Sequence, residues 1–193
     1  MSRRIMHSQY HNPHRQHGTS LLEVVVTIAV LSFGLFGLNG LTARLQVAEI
    51  ETYQRAQALM LLKDMASRIA TNRYAASSYV TSSPLGSGTT CASTDASSTR
   101  QQLDASQWCA ALQGAAETAS GSRVGALVSG RGCVEALGSN EYMVTVVWQG
   151  LTPVSAPPSS VGCGQGLYDG GTACTADLCR RALTTVVRIA PLT

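Results

Sequence analysis

Gly18-Thr19-Ser20-Leu21-Leu22-Glu23-Val24-Val25-Val26 opens the stretch on which the reading of this chain turns. From Val24 to Ala43 there follow 20 positions without a charged side chain. At about 1.5 Å per residue, a helix of that length spans about 30 Å, the hydrocarbon thickness of a bilayer. The residues before it, 1–18, carry Arg3, Arg4 and Arg15 and no acid. Positive charge stays on the cytoplasmic side, so the remainder of the chain is expected beyond the membrane. A secretory signal has an apolar core of about 7–15 residues, with its small-residue cleavage site after it. Here the apolar run is longer, and the small residue, Gly18, precedes it. Glu23 sits at the edge of that run. A carboxylate in lipid costs a few kcal/mol even on lenient scales and usually marks function with a partner. The plainer alternative is an acid favoured by the helix dipole at a helix start.

The rest of the chain agrees from different residues. Its six cysteines, Cys91, Cys109, Cys133, Cys163, Cys174 and Cys179, all lie beyond the apolar segment. An even number in a loop-rich region reads as three disulfides in an oxidising compartment. A zinc site is the alternative, but no C-x-x-C pair exists. All four histidines, His7, His11, His14 and His17, precede Gly18. Their spacing can align them on one helical face, which admits a metal reading beside that of a hydrophilic leader. Without residues 1–18 the chain has no histidine, which excludes Ser-His-Asp and Cys-His catalysis and His-ligated metals. No catalytic residue, metal site or cofactor is therefore expected. Removing the three leader arginines from the 14 basic residues leaves 11 against 11 acidic ones. A near-neutral chain with a single lysine, Lys63, is a poor polyanion binder, so nucleic acid is not an expected partner.

No proline interrupts Thr19 to Ser83, and the helical pattern continues past the apolar run. Leu41, Leu45, Ala48, Thr52, Ala56, Leu59, Leu62, Met65 or Ala66, and Ile69 recur every three or four positions. The spacing predicts one helix from about residue 20 to about 76, apolar all round at first and amphipathic later. Gly34, Gly37 and Gly40 lie within the apolar half. They suit either close helix packing or a weak point that stretches on assembly.

Ser82 to Arg100 reads as an exposed loop. Asp104 or Ser106 is a candidate cap for a short helix through about Glu117. Strands are expected at 132–137, 141–149 and 181–189, with Gly138-Ser139-Asn140 turning the first into the second. Between the second and third lies a Pro-, Gly- and Cys-rich loop, 150–180. The class is α+β: a long helix packed on a small antiparallel sheet. Within the loop, Gly162-Cys163-Gly164-Gln165-Gly166 lacks the strand-to-helix setting of a phosphate cradle. Asp169 and Asp177 are weaker calcium candidates than members of a solvated loop.

Gly18-Thr19-Ser20-Leu21-Leu22-Glu23 resembles the class III signal of type IV pilins and related pseudopilins. The resemblance implies the type IV pilin fold and cleavage between Gly18 and Thr19 by a prepilin peptidase, which also N-methylates Thr19. It makes Glu23 the assembly acid. Thr19 departs from the Phe usual in major pilins. Gly130-Arg131-Gly132-Cys133, Val144 to Leu151, Cys163-Gly164 and Arg180-Arg181 are similar to PilV-type minor pilins, as is Phe33 to Leu38. The implied layout is 1–18 leader, 19–43 membrane and assembly half of the helix, 44–80 its amphipathic half, and 81–193 a periplasmic α+β domain. Six cysteines allow 15 pairings; the expected set is Cys91–Cys109, Cys133–Cys163 and Cys174–Cys179.

That resemblance implies a non-enzymatic minor pilin in the inner membrane, single-pass, and then in an extracellular type IV pilus. It would help prime assembly and support cell adhesion and twitching motility. Its partners would be the prepilin peptidase and N-methyltransferase, other minor pilins, the major pilin, the inner-membrane assembly machinery and a tip adhesin. The rival readings are a type II secretion pseudopilin and a periplasmic sensing or binding domain on an uncleaved anchor.

Overall fold

The computed structural model describes residues 20–115, 118–119, 122–123 and 127–190. They fall into two units, with the boundary after Leu45. Helix α1, Leu21–Thr71, contains that boundary.

The first unit is the apolar start of α1. Leu21, Leu22, Val25, Ile28, Leu31, Phe33, Leu35 and Phe36 are all more than half exposed. The helix is long and apolar enough to cross a membrane, and none of its most apolar stretch is buried. Its hydroxyls are satisfied inside the helix. Thr27 Oγ1 donates to the Val24 carbonyl at 2.8 Å, Ser32 Oγ to Ile28 at 2.7 Å and Thr42 Oγ1 to Leu38 at 2.9 Å. Such back-bonding lets a hydroxyl sit where no water is present. The helix continues unbroken through Gly34, Gly37 and Gly40, and a Cβ at any of them would meet nothing within 4 Å.

The second unit is α+β. A 3-10 segment, Arg73–Tyr79, follows α1, so the expected single helix to residue 76 is two pieces with a break at Asn72 (φ −98°, ψ 48°). Next come β1 (Leu85–Gly86), α2 (Arg100–Leu112), a small pair β2 (Thr118–Ala119) and β3 (Ser122–Arg123), then β4 (Arg131–Gly138), β5 (Glu141–Gln149) and β6 (Arg180–Arg188). The main sheet is antiparallel, in the order β1-β4-β5-β6. The three long strands lie within a residue of their expected bounds. The hairpin turns at Ser139-Asn140, with Asn140 at φ 62° and a register shift between Ala136 and Gly138. Strand β1 lies inside the stretch read as loop; two residues are too few to show a period.

Alternation on β4 and β5 sends Val134, Tyr142, Val144, Val146 and Trp148 inward against Ala58, Leu62, Met65 and Ile69 of α1. The buried stripe of α1 is Gln54, Ala58, Leu62, Met65 and Ile69. This corrects the expected stripe in its first half: Thr52, Ala56 and Leu59 are exposed. Hydrophobicity passes over Gln54, although the i, i+4 spacing from Ala58 puts it on the covered face.

Helix α2 starts at a different residue than expected. Thr99 is its N-cap, with the Thr99 side chain accepting from Gln102 N and the Gln102 side chain accepting from Thr99 N. Asp104 and Ser106 therefore lie within the helix, and Glu117, its expected end, lies outside the described residues. Trp108 of α2 is fully buried and donates from Nε1 to the Leu61 carbonyl of α1 at 3.0 Å. Gly132 of β4 passes directly beneath the indole, and a Cβ there would run into the ring.

Candidate functional site

Glu23 lies in the first turn of α1, where its backbone N–H donates to the Ser20 carbonyl at 2.9 Å. The side chain is exposed and forms no ion pair among the described residues. Gly18 and Thr19, the residues of the expected cleavage, lie outside the described residues, as does the histidine cluster. The geometry thus places one carboxylate at the positive end of an apolar helix.

In the second unit the chemistry is closed on itself. Asp104 is buried on α2, and its Oδ1 takes Arg68 Nη1 at 2.8 Å and Arg100 Nε at 3.2 Å. Its Oδ2 accepts from the Tyr79 hydroxyl at 2.6 Å, and that oxygen accepts in turn from Asn72 Nδ2 at 3.0 Å. Arg68 also donates to Gln107 Oε1 at 2.8 Å and pairs with Asp64 at 2.9 Å. Burial, and then the bond to Asp104, push the Tyr79 hydroxyl up to about 12. Burial alone would lower the Arg68 guanidinium, but Asp64 and Asp104 reverse that and raise it. This network ties the end of α1, the 3-10 segment and α2 together. A buried charge is tolerated when its lone pairs are filled in this way.

The long loop is held over the outer face of the sheet by a second set of bonds. Cys133 of β4 is bonded to Cys163, Cys91 to Cys109, and Cys174 to Cys179; these are the three pairs named above. Cys133 and Cys163 pack with Val147 and Tyr168. The Tyr168 hydroxyl lies 2.8 Å from the Ser129 carbonyl and 3.2 Å from that of Val147, donating to one at a time. The Arg131 guanidinium stacks over its ring at 5.0 Å. Burial raises the Tyr168 hydroxyl.

Arg180, 2 % exposed, donates to the carbonyls of Val161 (2.8 Å) and Cys163 (3.0 Å) and pairs with Asp177 at 3.2 Å. Asp177 Oδ1 also accepts from Gly166 N at 2.9 Å, and Asp169 Oδ1 accepts from Asp177 N at 2.7 Å. These two acids are occupied as loop fasteners, and the described residues hold no group of three or more metal-binding side chains. The glycine run serves packing. Gly164, at φ 67°, lies flat on Val147 and Tyr168, which a Cβ would meet at 2.9 and 3.0 Å.

Sequence reasoning missed Arg68, Asp104 and Arg180 as structural ions and Tyr79 as the neutral hydroxyl bonded to Asp104. The signal for Asp104 was its position facing Trp108 and Leu112 one turn on, the buried face of α2. Arg100 is one turn before it, but its other partners, Tyr79 and Arg68, are 25 and 36 residues away and leave no local trace. No family model, curated protein or solved structure matches this chain.

Proposed function

We propose that this chain is a minor pilin of the PilV type, cleaved after Gly18 and methylated on Thr19 by the prepilin peptidase. It is then drawn from the inner membrane into a type IV pilus beside other minor pilins. It is a structural subunit rather than an enzyme. There it primes assembly and supports adhesion and twitching.

The observation that carries this reading is the placement of Glu23. It is an exposed carboxylate in the first turn of an apolar helix long enough to cross a membrane, ahead of an α+β unit with three disulfides. A new amino terminus at Thr19 would stand four residues before it in the chain. In a bundle of such helices each carboxylate can meet the amino terminus of a neighbouring subunit. Two costly charges then cancel in lipid only when the helices dock in register.

Mass spectrometry of the N-terminus of the membrane-extracted protein tests it. A methylated Thr19 is expected; an intact leader, or a cut after the apolar run, would sink the proposal. Deleting the gene and scoring twitching against enzyme secretion separates a pilus subunit from one of a secretion pseudopilus.

A further inference from the structure

Within the second unit α1 runs from Gln46 to Thr71, and its two ends are held by different chemistry. From Leu61 onward it is locked. The Trp108 indole holds the Leu61 carbonyl, Arg68 is bound to buried Asp104, and Leu62, Met65 and Ile69 sit in the core. From Gln46 to Met60 the buried side chains are Gln54 and Ala58. Ala58 brings one methyl to the core. Gln54 is 2 % exposed, and its Oε1 has no hydrogen-bond partner among the described residues. A buried amide oxygen without a donor opposes docking. A groove of about 380 Å³ also separates this stretch from β6, with Ala48, Thr52 and Arg55 on the helix side and Ala182 and Leu183 on the strand side.

Glu51 fastens this stretch to the long loop and to β6. Its Oε1 accepts from Arg181 Nη2 at 3.1 Å, from Leu151 N at 3.2 Å and from the Thr152 hydroxyl at 3.4 Å. Arg181 is anchored on the loop as well. Its Nη2 donates to the Thr152 carbonyl at 2.7 Å and its Nη1 to the Leu178 carbonyl at 3.3 Å. Gly150 leaves room for the guanidinium, which a Cβ would meet at 2.5 Å. The Glu51 and Arg181 side chains are 30 % and 15 % exposed, and an ion pair this near to water is a weak clasp.

We infer that residues 46–60 of α1 form a strap. It lifts off the sheet as far as Met60 when Glu51 leaves its socket, and it reseats when Glu51 returns, while residues 61–71 stay docked. The costs of opening differ between the two ends. Freed Glu51 passes into water, Arg181 keeps its two carbonyl partners, and the Gln54 oxygen gains water as a donor. Freeing Arg68 would instead leave the Asp104 carboxylate, 1 % exposed, short of its partner. The open form uncovers Ala58 together with Trp148 and Leu183, the core residues nearest the groove. Segments that hold few apolar contacts are the ones that open locally while the rest of a fold stays shut. The inference concerns the second unit alone and holds whether or not the chain enters a fibre.

Thiol labelling of the full chain in detergent micelles tests it, since the described residues contain no free cysteine. Ala58→Cys places a reporter under the strap, and Ala76→Cys places one in the locked part of the same core. With iodoacetamide in excess, the first is expected to react at least tenfold faster than the second. Adding Glu51→Ala should speed labelling of the first at least fivefold and leave the second unchanged. Adding Gln54→Met, which removes the unpartnered oxygen, should slow the first at least fivefold. Should either cysteine variant not fold, hydrogen exchange at the Leu151 amide decides, because that N–H is held by Glu51; Gln54→Met alone should slow it at least fivefold. Equal labelling of the two sites, acceleration of both alike by Glu51→Ala, or no slowing by Gln54→Met would each overturn the inference.

Discussion

The start of α1 and the unit that follows Leu45 handle their polar groups in opposite ways. In residues 21–45 the hydroxyls are returned to the helix's own carbonyls, and the apolar side chains are left uncovered. Beyond Leu45, ions and cysteines reach across tens of residues to one another: Arg68 to Asp104, Arg181 to Glu51, Cys133 to Cys163. The first region leaves its apolar surface uncovered; the second covers its own. The lesson is that a change in one should leave the other's readout nearly untouched, and that separation is open to attack.

The largest effect is expected at Glu23. Under the proposed pilin function, Glu23→Ala should reduce the amount of this chain in sheared fibres at least tenfold while leaving the melting temperature of the second unit unchanged. Wild-type incorporation, or a lowered melting temperature, would break the contrast. Asp104→Ala should do the reverse. Removing one member of a buried charge network costs about 3–5 kcal/mol, measured by denaturant unfolding, and membrane insertion should be unaffected.

The disulfides sharpen the picture within the second unit. In the chain-entropy account the stabilisation grows with the closed loop. The Cys133–Cys163 pair closes a separation of 30 residues and the Cys174–Cys179 pair one of 5. Replacing the first pair by serine should cost about 3.5 kcal/mol and the second about 2 kcal/mol. Equal losses would show that the long loop is held by Arg180 and Tyr168 rather than by its cross-link.

The smallest effect concerns pH. Tyr79 titrates near 10 when unfolded and about 12 when folded. Its neutral form is the one the fold prefers, so the stability it contributes is complete below pH 10 and is lost as pH rises toward 12. Unfolding curves of the wild type should fall by up to about 2 kcal/mol across that window. Tyr79→Phe should be less stable at neutral pH and flatter above pH 10.

These same features mark how far the sequence could be read. The strands were legible because Tyr142 to Trp148 and Arg181 to Ile189 carry dense β-branched and aromatic runs bounded by turn residues. The apolar length before Arg44 made the helix plain. The start of α2 was not, since Thr99 and Gln102 close a run of serines and threonines in which many residues can cap. The reversed choice at Asp104 follows from that: an acid near a helix start looks like a cap until the true cap is found one turn earlier. Gln54 escaped because a polar side chain on a buried stripe does not register as hydrophobic. Of the candidate site, Glu23 was legible from charge placed against apolar length, whereas the bonds that join Asp104 to Arg68 and Tyr79 are contacts that only the fold creates.

One consequence of that cluster is mechanical. The last turns of α1 carry Arg68, clasped by Asp104 and Gln107, and the Leu61 carbonyl, held by the Trp108 indole. Sliding this part of the shaft by one helical turn, about 5.4 Å, would separate the half-buried Arg68 guanidinium from the buried Asp104 carboxylate and leave that carboxylate short of its partner. Within the second unit the helix is therefore keyed against both slip and rotation. Tension drawn along it passes into α2 and the sheet as a single rigid coupling, and stretching must be taken up elsewhere along the chain.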